Sequence, residues 1–227
     1  MIKLAPRPWH VASAALAALL MVAWASSLPA TAQNRTQDRP DAPAGEAQTD
    51  AGAPDAQRKH PRPRNRNRVD NLDFLFGALK AAPDAESAKA VEDRIMRLLL
   101  ASGSDTADLL MTRAKAAVDA KDVTLAIRLL DAIVAIKPDY VEAWNRRATL
   151  YFAEKNFTAS LQDLRQVLAR EPRHFGALVG LGVVLQELGE DKRALEIFRR
   201  AVTVYPLLPR VPDMIKELTE KVEGREI

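Results

Sequence analysis

Three prolines recur at an interval of 34 residues in the second half of the chain: Pro138, Pro172 and Pro206. A fixed period of this length indicates a repeat architecture, in which each unit buries its apolar face against the next unit. The period divides the sequence into three aligned blocks: 107–140, 141–174 and 175–208. Because proline cannot continue a helix, each proline marks the turn into the next block.

The three blocks have residues of similar size at the positions where two packed helices would meet. In each block, apolar residues recur at a spacing near 3.6 over two stretches of about 14 residues, which predicts a pair of helices. The eighth and twentieth positions carry small residues, which would let the two helices approach closely: Ala114, Ala148, Gly182, Ala126, Ser160 and Ala194. Larger side chains at the fourth and twenty-fourth positions would fill the space around this crossing: Leu110, Trp144, Leu178, Leu130, Leu164 and Phe198.

Composition favours the same all-α class and excludes several kinds of site. Aromatic residues at 5% and only 9 glycines are low for a β-rich fold. The absence of cysteine excludes disulfides, thiolate metal sites and cysteine nucleophiles. The net charge of +3 includes Lys3 and Arg7, which lie in a segment that we expect to be removed. The remaining charge is too small to predict a nucleic-acid partner.

Residues 1–32 have the three parts of a secretory signal in order. A short basic region precedes an apolar run over residues 11–25, and small residues follow at Ala30 and Ala32. We expect cleavage after Ala32 and export of the mature chain to the periplasm or outside the cell. An uncleaved membrane anchor is the alternative, but the run is shorter than the roughly 18 residues of a spanning helix. The mature protein is therefore not expected to span a membrane.

Residues 33–69 carry hardly any apolar side chain larger than alanine. Such a segment buries too little surface to offset the entropy of ordering, so we predict a disordered linker. Its end is rich in basic side chains: Arg58, Lys59, Arg62, Arg64, Arg66 and Arg68. They would either contact an anionic surface or belong to a solvated tether, which is the commoner role of charged runs. No aromatic residue lies between them, so nucleic acid is not a predicted partner.

Two further segments flank the blocks and look like end caps. Residues 70–106 contain apolar residues at helical spacing and are predicted to form an N-terminal helical pair. Residues 209–227 are predicted to form a C-terminal capping helix, with one apolar stripe and a charged outer face. The stripe consists of Met214, Ile215, Leu218 and Val222.

The block pattern resembles that of the tetratricopeptide-repeat (TPR) family, which reads Trp-x2-Leu-Gly-x2-Tyr, then Ala-x3-Phe, then Pro. The third block matches at Leu181, Gly182, Ala194, Phe198 and Pro206, and the second block matches at Trp144, Tyr151 and Pro172. This resemblance implies an all-α superhelix, a solenoid of three repeats between the N-terminal helical pair and the C-terminal capping helix. It also implies a concave groove, lined by the first helix of each repeat, that binds a protein or peptide.

The sequence lacks the parts of an enzyme, and we predict no catalytic, cofactor or metal site. After signal removal the only histidines are His60 in the linker and His174 at a turn between blocks. No set of nucleophile, base and orienting group can be assembled from them. Gly180 and Gly182 superficially suggest a dinucleotide loop, but they fall inside a predicted helix with no strand before it.

The resemblance also implies which side chains point into the groove. From these positions we select eight candidate partner-binding residues: Lys115, Asn145, Arg146, Thr149, Phe152, Val179, Val183 and Gln186. The polar and basic members would receive an acidic or amide-rich stretch, and the apolar members would take an apolar side chain. The carboxylate clamp of chaperone-binding members is not predicted. Its positions are occupied here by Met111, Arg146, Gly176 and Gly180.

The sequence leaves alternatives for two arginine side chains and for the role of the whole protein. Arg113 and Arg147 occupy the seventh position, where leucine is usual, and would either snorkel into water or form a basic strip at the groove edge. For the whole protein, the main hypothesis is an adaptor of the cell envelope that binds a partner in the groove. The alternative is a structural element of the envelope, tethered by its basic tail and self-associating through the repeats. The sequence does not predict an oligomeric state.

Overall fold

The computed structural model describes residues 64–224. Within this range the chain forms nine α-helices and no strand, which confirms the all-α class. No helix in the same range is both long enough and apolar enough to cross a membrane. The predicted signal peptide, residues 1–32, and most of the predicted linker lie outside the described residues.

Six of the helices form three consecutive pairs, one pair in each block. In chain order they are α3 (Asp105–Asp119), α4 (Val123–Ile136), α5 (Val141–Ala153), α6 (Phe157–Arg170), α7 (Phe175–Glu187) and α8 (Asp191–Val204). Two helices precede them, α1 (Arg64–Lys80) and α2 (Ala85–Leu100), and α9 (Val211–Glu223) follows. The first helix of each repeat also packs against the second helix of the repeat before it, so the pairs stack in order.

The turn inside each repeat has the same backbone conformation three times. Its fifteenth position is left-handed in every block, at Lys121, Lys155 and Gly189. The residue after it donates its backbone N–H to the carbonyl five residues earlier, at 2.8 Å in all three turns. In the first two repeats this residue, Asp122 or Asn156, also caps the second helix with its side chain. The turns therefore match when the chain is shifted by one block.

The predicted packing positions lie in the core. The residues at the eighth, twentieth and twenty-fourth positions are buried in all three repeats. In the third repeat Gly182 faces the ring of Phe198 at the helix crossing. Trp144 lies instead at the border of the core, where its indole N–H donates to the Pro138 carbonyl.

Arg147 adopts neither of the two predicted arrangements. Its guanidinium forms a bidentate pair with Asp163, at 2.8 Å for each bond, and a third bond of 2.6 Å to Asp131. It lies 4.9 Å from the centre of the Trp144 ring. The hydrogen bond to Asp163 raises the pKa of Arg147 further above its ordinary value. This largely buried cation joins the second helix of the first repeat to both helices of the second repeat.

The C-terminal helix caps the stack as predicted. Helix α9 packs against α8 with Leu218 buried. Its outer face is charged and exposed, at Lys216, Glu217 and Glu220. A polar outer face of this kind closes the last repeat against solvent.

The N-terminal hairpin, which we define as α1 and α2, differs from the prediction in two ways. First, α1 begins at Arg64, so residues 64–69 are helical and the predicted linker boundary at 69 is wrong. The helix thus extends upstream of its first buried side chains, Leu72 and Phe76 among them.

Second, the hairpin does not cap the stack. Its main contacts are with α5 and α8, in the second and third repeats, and not with the helices of the first repeat. The apolar residues of the hairpin join one hydrophobic core with those two repeats and α9, while the first repeat belongs to a smaller core that also includes Ala143 and Leu150 of α5. The hairpin packs there because an apolar face is available around Phe175 and Tyr205.

The close contact at Gly182 generates a test of the helix crossing. A Cβ atom at residue 182 would lie 2.7 Å from Cζ and 2.8 Å from Cδ1 of Phe198. We expect Gly182→Ala to lower the free energy of unfolding by about 1–3 kcal/mol, measured by urea denaturation, because the buried ring has no space to move.

The matched control is Gly77→Ala in α1, where an added Cβ meets nothing within 4 Å. This variant should be neutral or raise the free energy of unfolding by up to about 1 kcal/mol, since alanine favours helix. Equal effects of the two substitutions would contradict the crossing geometry.

Candidate functional site

The N-terminal hairpin crosses the turns between repeats, and three side chains from these turns hold it. Arg173 contacts it twice, with an ion pair of 2.6 Å to Asp73 and with its guanidinium 4.4 Å above the Phe76 ring. The hydroxyl of Tyr140 donates to the Leu100 carbonyl at 2.7 Å. The hydroxyl of Tyr205 donates to the Glu92 carboxylate at 3.2 Å. The hairpin therefore covers the end of the repeat surface where the first helices begin.

A buried polar pair lies at the same end. His174 caps α7, because its Nδ1 accepts the backbone N–H of Ala177 at 3.1 Å. Its Nε2 must then carry the proton, and it donates to Glu142 Oε1 at 2.8 Å. The second carboxylate oxygen of Glu142 lies 3.6 Å from Nε of Arg146. Since Glu142 lies in the first turn of α5 and His174 is the N-cap of α7, this bond joins consecutive first helices.

The charge of Glu142 is stabilised although the residue is fully buried. Burial by itself would raise the pKa of its carboxyl group. The hydrogen bond from His174 and the positive charge of Arg146 outweigh burial and lower the pKa to about 2. Glu142 is therefore an anion at neutral pH, and removal of either partner would leave a poorly compensated charge in the core.

The structure separates the eight candidate partner-binding residues into two groups. Arg146, Phe152 and Val183 are buried. Arg146 is 7% exposed and is directed towards Glu142, so its guanidinium is not presented to an outside carboxylate. Phe152 packs on Phe157, with ring centres 5.7 Å apart, and belongs with Val183 to the core that includes the hairpin.

The other five candidates are partly exposed. Four of them lie on α5 and α7, two first helices that are in contact: Asn145, Thr149, Val179 and Gln186. We call this set the inner surface. Lys115 lies on α3, and its Nζ is 2.8 Å from Asp119. The four side chains of the inner surface are uncharged: two amides, one hydroxyl and one valine.

Comparison with known proteins identifies the repeats. A sequence model of the tetratricopeptide repeat matches residues 111–164 and 145–209. A TPR repeat-containing protein of Rhizobium etli is 40% identical over 153 residues, which cover 67% of this chain and 75% of the relative. The chain belongs to the tetratricopeptide-repeat family. The resemblance of the three blocks to the TPR pattern is thereby confirmed.

A solved structure shows the same TPR architecture. The first TPR domain of Spaghetti (RPAP3), bound to the HSP90 peptide SRMEEVD, superposes with a TM-score of 0.51 at 17% sequence identity. The match covers 53% of this chain and 95% of that domain. At this level of identity it shows the fold, an α-α superhelix.

TPR domains generally mediate protein–protein interaction and are typically non-catalytic scaffolds. In this family the first helix of each repeat lines the concave face, which here corresponds to α3, α5 and α7. Across residues 64–224 no group of three or more His, Asp or Glu side chains is arranged to hold a metal ion.

Sequence reasoning missed the contribution of the turns to this site. Arg173 and Tyr205 carry no local pattern that distinguishes them from exposed turn residues. Their role depends on the position of the hairpin, about 100 residues away in sequence. Glu142 likewise carries no local signal that it is buried and bonded to His174, 32 residues away in sequence.

The buried carboxylate predicts how stability depends on pH. The folded-state pKa of Glu142, about 2, lies below the unfolded value of 4.5, so the folded state binds fewer protons in this range. The contribution of Glu142 to the free energy of unfolding is about 3 kcal/mol. It is fully present above pH 4.5 and is lost as the pH falls towards 2.

Urea unfolding measured between pH 2 and pH 7 checks this expectation. Glu142→Gln should be less stable at pH 7 by about 3 kcal/mol, because it leaves the positive charge of Arg146 without its carboxylate. It should also flatten the dependence between pH 4.5 and pH 2. An unchanged slope in this variant would show that other carboxylates dominate the acid response.

Proposed function

We propose that this protein is a non-enzymatic adaptor of the cell envelope that binds a partner protein or peptide on the inner surface of its TPR domain. The observation that carries the proposal is the partial exposure of Asn145, Thr149, Val179 and Gln186 on two adjacent first helices. The hairpin covers one end of the concave face, and these side chains lie on the part that stays accessible.

The chemistry of the inner surface favours a largely uncharged partner segment. Amide and hydroxyl groups can pair with backbone or amide groups of an extended peptide, and Val179 offers an apolar contact. The RPAP3 domain holds a peptide with acidic residues, SRMEEVD. Here the internal pair of Arg146 with Glu142 removes one cation that such a peptide would need. Lys115 remains as a partly exposed cation on α3.

The location in the envelope rests on the amino-acid sequence. The basic, apolar and small-residue regions of residues 1–32 support export to the periplasm or outside the cell. Determination of the N-terminal residue of the protein recovered from an envelope fraction tests this part, and Gln33 is the expected result. Recovery of the intact chain from the cytoplasm would overturn it.

Binding is tested with arginine substitutions that block the inner surface without altering the core. Crosslinking in the cell, followed by purification of the attached protein, identifies the partner. The double variant Thr149→Arg and Gln186→Arg should then weaken its binding at least about tenfold, measured by calorimetry, because two long cations fill the accessible surface.

The matched control places the same changes on the second helix of the second repeat. Thr158 and Gln162 are exposed on α6, so Thr158→Arg with Gln162→Arg adds the same charge outside the inner surface. This control should bind as the unmodified protein does. Equal affinities of both double variants would overturn the proposed binding surface. Arg146→Ala is not a suitable test, because loss of a buried ion pair would also destabilise the fold.

A further inference from the structure

The first repeat has an uncovered face at the N-terminal end of the stack. The third position of each block faces the preceding repeat, and it is buried where a preceding repeat exists: Ala143 and Ala177 are 0% exposed. The equivalent residue of the first repeat, Leu109, is 53% exposed. The tenth position behaves in the same way, since Leu150 and Val184 are buried and Ala116 is exposed. The third and tenth positions, which are buried in the later repeats, are thus exposed to solvent in the first repeat.

The seventh position adds a charge to this face. In the second repeat Arg147 forms ion pairs with Asp131 of the preceding repeat and with Asp163 of its own repeat. Arg113 is the equivalent residue of the first repeat, and it is exposed. Its own repeat has Leu129 at the position of Asp163, and no helix of the described chain occupies the place of the preceding repeat. Arg113 therefore presents a guanidinium where its counterpart binds carboxylates.

Nothing in the described chain covers this face. The N-terminal hairpin, which sequence order would place there, packs on the second and third repeats instead. The upstream segment 33–63 has almost no apolar side chain larger than alanine, so it lacks the chemistry to cover Leu109.

The exposed side of α3 is complementary to a second copy of itself. Asp105, Leu109 and Arg113 are spaced by four residues and lie along one side of the helix. When two such helices pack antiparallel about a two-fold axis at Leu109, Asp105 of each copy lies opposite Arg113 of the other. Asp105 and Arg113 each lie about 6 Å from Leu109 along the helix axis. Because these two distances are equal, the opposite charges of the two copies come face to face. Neither Asp105 nor Arg113 forms an ion pair within the described chain.

We propose that this end face, formed by α3 around Leu109, is a two-fold dimer interface between copies of this chain. Two Asp105–Arg113 ion pairs would flank a contact between the two Leu109 side chains. The interface is isologous, because the opposite end of the stack is closed by the charged outer face of α9, which does not match the apolar side chain of Leu109.

The size of the face indicates a weak dimer. Helix α3 has 15 residues and is therefore about 22 Å long, and a helix is about 10 Å across. The face amounts to roughly 200 Å² for each copy, well below the roughly 800 Å² of a standard stable interface. Dimers are therefore expected to form only at high protein concentration.

Sedimentation velocity of the purified full chain, from about 1 to about 200 μM, tests the proposal. The unmodified protein should show a reversible monomer–dimer equilibrium. Arg113→Glu should raise the dissociation constant at least about tenfold, because both ion pairs become repulsive contacts with Asp105. The double variant Asp105→Arg with Arg113→Glu restores opposite charges and should return the constant to within about threefold of the original.

Lys216→Glu is the matched control, since it reverses an exposed charge on α9 at the other end of the stack and should leave the equilibrium unchanged. Circular dichroism of each variant separates loss of association from loss of fold. A protein that stays monomeric at 200 μM would overturn the proposal. So would a dimer that Arg113→Glu does not weaken, or a double variant that fails to recover. None of these outcomes bears on the inner surface, which lies on α5 and α7.

Discussion

The fold depends on how closely the two helices of each repeat approach one another. Small residues at the eighth and twentieth positions, such as Ala148 and Ser160, allow the backbones to come together. In the third repeat this space is filled by Phe198 against Gly182. A well-packed crossing fixes the angle between the two helices and therefore the orientation of their outer faces, so that successive pairs can stack. The stack then presents its first helices on one side, and the accessible part of that side is the inner surface.

Polar contacts favour one alignment of neighbouring repeats within this apolar framework. Arg147 bonds to Asp163 in its own repeat and to Asp131 in the preceding repeat, and His174, which caps α7, bonds to Glu142 on α5. Each contact needs a specific neighbour, because Arg147 is largely buried and Glu142 is fully buried, and a buried charge without its partner is costly. Apolar packing alone tolerates shifts between similar surfaces, whereas these bonds favour a single register.

The position of the N-terminal hairpin connects the two surfaces that we propose as interaction sites. By packing across Arg173 and Tyr205 it covers one end of the concave face and limits a partner to the rest of the inner surface. Because the hairpin does not pack on the first repeat, Leu109 and Arg113 are exposed at the end of the stack. The position of this one helix pair thus reduces the accessible part of the concave face and leaves the end face of α3 uncovered. The two sites are on different helices and can be occupied together.

The amino-acid sequence by itself determined the helix class, the three repeats and the core positions, because each depends on local periodicity and on residue size. The same reasoning identified the C-terminal cap from its single apolar stripe. It could not determine that Arg146 is buried, that Arg147 is paired with two aspartates, or where the hairpin packs. These features depend on which of several apolar or charged groups meet across long separations in sequence, and a period of 34 residues carries no information about such pairings. Only the tertiary structure decided them, since burial and ion pairing are properties of the neighbours that folding brings together.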